Sequence, residues 1–510
     1  MSIARKILAN TFVQVLGKLM TGALSIVVLK IISSYLGAAG YGDYNTVYQF
    51  LALFGIIADF GIYTITVKEM SRDEKQIPQI LGNIMGLRTA LAIFAMALAV
   101  IAAFFIPQYH GTLIPLGVVI ATFATFFTLL NGTVSSVLQV YLKMGYSTIG
   151  LVVGKIVSVG YMAWVALWLY PHNPTLGFYH LLWAGVLGNL IMFLVTAWYT
   201  RRYTPITYRF EWAFWNKVFW TSLPYGLALV LNTIYFRLDV ILMTFLLPHS
   251  SSVAAESCKA ALCSDTEIGL YGVGQRMLEL LMIVPVYFMN SVLPVMTRLV
   301  EEKSKKIHQL MQYSFDFLMA TSLPVLAGGV VLAVPIVYFV SDPQYVSGHT
   351  YAYGSDLAIQ ILMFATVFSF LNSLFGFTLV VLNRQKALMW INLAALILNL
   401  LANLAVIPRW GFRAAASTTV LSEVFILILA YWSVKRAIEF SLSAKSFFKI
   451  LFSAALMGVV LYGGLVWLQG VSPFLQLATL VPLGIVVYVL AMFKTRAVTP
   501  EMLRLLKKSA

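Results

Sequence analysis

The sequence predicts an all-α integral membrane protein: fourteen transmembrane helices, arranged as two six-helix lobes in parallel pseudo-repeat plus two C-terminal helices, with both termini inside. Composition, the placement of basic residues and an internal repeat carry this prediction. The chain has 510 residues, 60% hydrophobic and 10% charged, with a mean hydropathy of +0.87. A soluble globular chain is about 45–50% apolar and about 25% charged. A cytosolic enzyme, a disordered chain and a single-pass receptor with a large soluble domain are therefore excluded. The net charge of +15 would suggest nucleic acid on a soluble protein; here it belongs to membrane orientation, and no nucleic-acid partner is expected. Two cysteines cannot make a disulfide framework or a four-ligand zinc site.

A spanning helix needs about 20 mostly apolar residues. On that measure the spans run Thr11–Leu36, Tyr44–Val67, Gln79–Ile106, Thr112–Val140, Gly145–Tyr170 and Leu176–Tyr199 in the first lobe. The second lobe holds Val218–Leu247, Ile268–Thr297, Gln309–Val340, Asp356–Leu382, Ala387–Ile407 and Phe412–Ser433, and the appended pair is Phe447–Gln469 and Pro473–Phe493. The corresponding domains are residues 1–205, 206–440 and 441–510. The first apolar segment is too long for a cleavable signal peptide and lacks a small-residue cleavage site.

Basic residues set the orientation, because cytoplasmic loops carry the excess of Lys and Arg. With the N-terminus inside, 25 of the 34 Lys and Arg fall in cytoplasmic segments, among them Arg201, Arg202, Arg298, Lys303, Lys435 and Arg436. The external loops hold only Lys259, Arg409 and Arg413.

Two stretches repeat. Phe127-Thr-Leu-Leu-Asn131 followed by Lys143 matches Phe368-Ser-Phe-Leu-Asn372 followed by Arg384, at an offset of 241. Gly177-Phe178 with Trp198, Arg201 and Arg202 matches Gly411-Phe412 with Trp432, Lys435 and Arg436, at an offset of 234. Six spans separate the copies, so both have the same orientation. Parallel repeats related by an axis along the membrane normal place a substrate path between the halves. The repeat argues for a transporter that supplies both halves of its pathway, and so for a monomer.

Ionisable residues at membrane depth face a cavity or a partner. The first lobe has Lys18, Lys30, Asp59, Arg88 and Lys155, four bases against one acid. Arg88 and Lys155 lie nine or ten residues in from their cytoplasmic helix ends, roughly 14 Å at 1.5 Å per residue. Asp59 can neutralise only one of the cations. Such a cluster suits an anion, with Arg as a bidentate and Lys as a point-charge partner for phosphate; solvation in a water-filled lumen is the alternative. Lys30, near the outer end of its span, is either part of that set or snorkels to the interface.

In the second lobe Arg276 and Glu279, three apart, are placed to pair locally. Arg237 and Asp239, two apart, point to different faces and need partners elsewhere, as a gate or as structural contacts. Glu423 is a weaker candidate for ion coupling, and Asp316 lies nearer a helix end. No G-x-x-x-x-G-K-[ST] occurs, so no P-loop is expected, and six scattered histidines make no metal cluster. Cys258 and Cys263 share the longest external loop and either close a small ring or stay free. Trp168, Trp183, Trp410 and Trp467 read as an interfacial belt, with sugar stacking open for one or two.

Leu36-Gly-Ala-Ala-Gly-Tyr-Gly-Asp-Tyr44, Phe54-Gly to Asp59-Phe-Gly61 and Glu69-Met-Ser-Arg72 resemble the opening of Wzx-type lipid-linked oligosaccharide flippases. These are polysaccharide transporters of the multidrug/oligosaccharidyl-lipid/polysaccharide (MOP) exporter superfamily. Ser222-Leu-Pro-Tyr225, Phe236-Arg-Leu-Asp239, Ile268-Gly-Leu-Tyr271 through Leu293-Pro294, and Gly411-Phe to Ser422-Glu423 resemble the second half. The resemblance covers roughly residues 1–440. It implies a V-shaped, two-lobed, non-enzymatic transporter. Its cargo would be an undecaprenyl-pyrophosphate-linked glycan, moved to the outer leaflet of the bacterial inner membrane through a cationic cavity. The sister lipid II flippase shares the fourteen-span plan, and its last two spans form a groove for the polyprenyl tail; the Arg-rich opening segments of that group are absent here. Multidrug exporters of the superfamily usually have twelve spans and acidic coupling residues, whereas this first lobe is net basic.

The combined expectation is a flippase in which Lys18, Arg88, Lys155 and Lys30 meet an anionic headgroup and Asp59 holds one of them. Arg237, Asp239, Arg276 and Glu279 would be gate or structural charges. No cofactor or metal is expected beyond a coupling ion, H+ or Na+. Expected partners are the lipid-linked glycan, membrane lipids and polysaccharide polymerase or ligase components.

Overall fold

A computed structural model describes residues 3–59, 62–72, 74–141, 143–250, 262–304, 306–438, 440 and 442–495. Every regular element among them is helical. This follows from the solvent, since backbone N–H and C=O groups in hydrocarbon must be satisfied within the segment. The helices are α1 Ile3–Asp59, α2 Ile62–Arg72, α3 Ile77–Phe105, α4 Ile114–Val140, α5 Met144–Trp164, α6 Pro174–Thr200 and α7 Trp212–Leu246. They continue as α8 Ser264–Leu281, α9 Ile283–Glu301, α10 Lys306–Val331, α11 Ala333–Val340 and α12 Ser355–Val381. The last four are α13 Gln385–Trp410, α14 Phe412–Lys435, α15 Ala444–Trp467 and α16 Pro473–Lys494. Twelve helices among the described residues are long and apolar enough to cross a membrane.

Differences from the expected spans have local causes. The first two expected spans run together in α1, broken by Gly37 at φ 67, a left-handed conformation open mainly to glycine. The eighth and ninth expected spans each break in two, at Met282 between α8 and α9 and at Leu332 between α10 and α11. Proline stands three residues beyond each break, at Pro285 and Pro335. It can neither donate the next helical hydrogen bond nor clear the carbonyl four residues back. Gly411, at φ 55, separates α13 from α14 and reduces the turn between them to one residue. Cys258 and Lys259 lie outside the described residues, as do Lys305 and the basic tail from Arg496 onward; Cys263 is buried.

The chain divides into two compact units, residues 1–269 and 270–510. In the first, α6 packs along both α4 and α5. Small residues permit this: a Cβ on Gly154 of α5 would stand 2.4 Å from the Gly188 carbonyl oxygen of α6. A core of Val47, Leu51, Val118, Phe178 and Leu182 joins α1, α4 and α6. In the second unit α14 packs along α12 and α13 in the same pattern, around Leu318, Phe370, Leu374 and Phe375. α15 and α16 pack on each other, α15 also on α10 and α16 on α11. Apolar side chains such as Phe94, Phe105, Trp168, Trp410 and Trp467 are exposed, as a hydrocarbon and interfacial surroundings require.

Candidate functional site

Arg88 sits eleven residues into α3, about 16 Å along its axis, and is only 3% exposed. One amino group pairs with Asp59 Oδ1 at the end of α1. Nη1 donates to Thr133 Oγ1 of α4 at 3.2 Å. Gly132 stands alongside, where a Cβ would lie 3.0 Å from Nη1. Arg88 Nε, also buried, has no hydrogen-bond partner among the described residues. Of the five N–H donors of the guanidinium, the Asp59 and Thr133 contacts use two, and the Nε–H is left for an acceptor other than these side chains.

The other predicted cations of the first lobe lie on α1 and α5. Lys18 is exposed on α1, and Lys155 is half-buried on α5, which packs against α1. Lys30 is half-buried further along α1. On α7, Arg237 donates through Nη1 to Gln49 Oε1 of α1, while Gln49 Nε2 donates to Asn45 Oδ1 at 3.2 Å. Asp239 is buried. Arg237 and Gln49 thus tie α7 to the second half of α1.

Beyond the end of α7, His249 Nε2 meets Asp43 Oδ1 at 2.9 Å, both side chains nearly buried. Asp265, at the start of α8, accepts from the Ser250 backbone N–H at 3.3 Å and from its hydroxyl. Burial pulls the His249 pKa down, but the hydrogen bond and charge of Asp43, with the charge of Asp265, outweigh it and leave the imidazole above its ordinary value. Gly42 makes this contact possible, since a Cβ there would fall 1.7 Å from the Asp265 carbonyl oxygen.

In the second unit Arg276 Nη1 pairs with Glu279 Oε2 at 2.8 Å within α8, both partly exposed. Glu423, on α14, is buried. Its Oε2 and backbone oxygen accept from Asn372 Nδ2 of α12 at 2.7 and 2.9 Å. One turn away, Asn399 donates to Ser422 Oγ at 3.2 Å, Asn403 donates to Asn399 Oδ1 at 3.0 Å, and Thr418 donates to Asn403 Oδ1. Asp316 accepts from Gln312 Nε2 at 2.8 Å on α10.

Sequence reading missed Thr133, Gln49, His249 and Asp43, because single polar residues on different helices carry no spacing signal. Asn372 was within reach: it ends the repeated Phe-x-x-Leu-Asn stretch, and both repeat copies, Asn131 and Asn372, keep a buried Oδ1 without a partner among the described residues.

The chain matches the polysaccharide biosynthesis protein family over residues 7–300 and belongs to it. Residues 240–405 also match the MatE family. No curated protein matches. Among solved structures, the chain is similar to a lipid II flippase, MurJ, in an inward closed conformation, at 14% identity, TM-score 0.70, and 96% and 99% coverage of the two chains. It is similar to an inward-facing multidrug resistance MATE family transporter of the MOP superfamily at 11% identity, TM-score 0.61, with 82% and 94% covered. A Vibrio cholerae MATE transporter, VcmN, follows at 14% identity and TM-score 0.55, with 85% and 96% covered. The fold is that of these flippase and transporter structures, and the chain is a multi-pass integral membrane protein of the polysaccharide biosynthesis protein family.

Proposed function

We propose that the protein is a flippase, without enzymatic activity, that moves an undecaprenyl-pyrophosphate-linked oligosaccharide from the cytoplasmic to the outer leaflet of the bacterial inner membrane by alternating access. The observation that carries the reading is the buried Arg88, whose Nε lacks an acceptor among the described residues in a lobe with four membrane-depth bases and one acid. A pyrophosphate oxygen is the acceptor that completes it. Lys18 and Lys155, with Lys30 further out, supply positive charge along the path of the headgroup. Asp59 fixes the guanidinium without neutralising the set. Arg237, through Gln49, and Asp239 contribute to a gate that opens when α7 leaves α1. The proposal includes fourteen spans with both termini inside, supported by the placement of basic residues, and a monomer working beside polymerase or ligase components.

Glu423 is the proposed coupling group for H+ or Na+, supported by its burial and by the Asn372 amide that donates to its carboxylate at 2.7 Å. A second reading, a cation-coupled exporter of small molecules, is favoured by the MatE match over residues 240–405. Reconstitution separates the two. Purified protein is placed in liposomes carrying labelled undecaprenyl-pyrophosphate oligosaccharide on one leaflet. Movement is read as protection of the glycan from an impermeant quencher, with and without an imposed H+ or Na+ gradient. Protein-dependent movement supports the flippase. No movement with a native glycan, alongside gradient-driven efflux of cationic dyes, transfers the assignment to the exporter.

A further inference from the structure

Trp432 and Tyr431, on the last turn of α14, form one wall of an apolar cavity of about 570 Å³ between α10, α12 and α14. Its other walls include Phe315, Leu371 and Phe375. Phe375, Tyr431 and Phe440 brace one side edge to face, with Phe375–Tyr431 centroids 5.6 Å apart at 89° and Tyr431–Phe440 at 5.5 Å and 78°. Phe375 and Phe440 are themselves buried, so this side is a fixed surface. Trp432 and Ile428 are exposed, so the other side opens to the hydrocarbon around the protein.

Cations stand directly on the aromatic rim. The Arg436 guanidinium lies 3.4 Å from the Trp432 ring centroid and Lys435 Nζ 5.6 Å from that of Tyr431. Arg384, from the turn between α12 and α13, reaches the Ser433 carbonyl oxygen at 3.5 Å. All three basic side chains are exposed. The aligned end of α6 in the first unit carries the same device, with Arg202 4.3 Å from the Trp198 ring centroid. There, Tyr199 stacks on Tyr146 at 4.3 Å; at the position of Tyr199 the second copy has Ser433.

We propose that this cavity holds an acyl chain of an anionic phospholipid of the surrounding bilayer, with its phosphate on Arg436, Lys435 and Arg384. The size falls within the range of small-ligand pockets, about 300–1,000 Å³. Apolar walls suit the chain, and interfacial Trp, Tyr and Arg are the groups that meet a lipid phosphate at headgroup level. With the orientation proposed above, this end of α14 faces the cytoplasmic leaflet, where anionic lipids attract basic segments. The site shares no residue with the surroundings of Arg88 and does not depend on the glycan assignment.

The test uses the full-length protein in phosphatidylcholine vesicles containing either bromine-labelled phosphatidylglycerol or bromine-labelled phosphatidylcholine as a minor component. Quenching that disappears in Trp432→Phe reports on occupancy of this cavity. Stronger quenching by the anionic lipid is expected. One cation near the surface is worth about a fivefold preference, so Lys435→Gln with Arg436→Gln should remove most of the selectivity. Arg413→Gln, at the opposite end of α14 where the guanidinium covers Tyr353 at 3.9 Å, should leave it intact. Equal quenching by the two labelled lipids overturns the proposal. So does equal loss of selectivity in Arg413→Gln, which would mark a general charge effect. Displacement of the labelled phosphatidylglycerol by a stoichiometric amount of polyprenyl phosphate also overturns it, and assigns the cavity to the tail of the transported lipid. Because this readout needs no transport, its failure leaves the flippase reading untouched, and inactive liposomes leave the lipid site standing.

Discussion

Arg88 can matter by holding the fold together or by meeting the cargo, and paired substitutions at Arg88 and Asp59 separate the two roles. Arg88 is 3% exposed and its partner Asp59 38%. Breaking a fully buried pair by removing one member costs about 3–5 kcal/mol. Water at the half-exposed carboxylate lowers that figure, and the lost hydrogen bond to Thr133 returns part of it, leaving about 2–3 kcal/mol for Arg88→Met. That corresponds to a melting temperature lower by roughly 2–5 °C. Adding Asp59→Leu removes the stranded carboxylate, and well-packed apolar replacements of a buried pair are often neutral. The double variant should therefore melt within about 1 kcal/mol equivalent of the parent. Glycan movement in liposomes should stay low in both variants, because the guanidinium is gone in both. Transport restored together with stability in the double variant would refute anion binding at Arg88. An Arg88→Met protein that melts like the parent would refute the ion-pair energetics.

Three further outcomes are expected. Gly154→Val, which drives a branched side chain into the Gly188 carbonyl 2.4 Å from the Cβ position, should separate α5 from α6 at a cost of about 1–3 kcal/mol; unchanged melting in detergent would contradict that close approach. His249 has a pKa raised above 6.5, so its contribution to stability is present in full below pH 6.5 and is lost as pH rises through the folded value. Parent melting temperatures should fall relative to His249→Gln over that rise, and parallel profiles would count against the pair with Asp43. Glu423→Gln keeps the shape and the acceptor oxygen for Asn372 but removes the charge, so it should preserve melting within about 1 kcal/mol while abolishing the response of transport to an imposed gradient; a response of parental size would exclude Glu423 as the coupling group.

The course of most helices was legible because hydrocarbon demands long apolar runs, though fourteen spans were expected where twelve helices among the described residues are long and apolar enough to cross a membrane. Asp356–Leu382, for instance, corresponds within one residue at each end to α12, Ser355–Val381. The repeated Gly-Phe and Trp-x-x-basic signals likewise mark α6 and α14, which pack against their neighbours in the same pattern. Breaks within helices were not read. Pro285 and Pro335 could have given them, but prolines inside spans such as Pro324 leave α10 continuous, so the signal does not decide by itself. Among the charges, Arg276 with Glu279 was readable from spacing alone, since both lie on one helix face. Arg88 with Asp59 and Thr133 was only half readable: the need for a counter-charge followed from membrane depth, while the hydroxyl came from a third helix. Partners such as Gln49 for Arg237 lie 188 residues away, where pattern in the chain carries no information.

The two repeat copies differ at one position with a consequence for stoichiometry. The offset of 234 that aligns Trp198 with Trp432 also aligns Asn189 with Glu423. Asn189 donates to the Ala124 carbonyl oxygen of α4 at 3.2 Å, whereas Glu423 accepts from Asn372 of α12. An ancestor with two identical halves would have carried either two amides or two acids there. Only the second copy carries a titratable group there, so under the coupling role proposed for Glu423 a cation or proton taken up at this level would be counted once per molecule, and the driving force per cycle would scale with one ion rather than two.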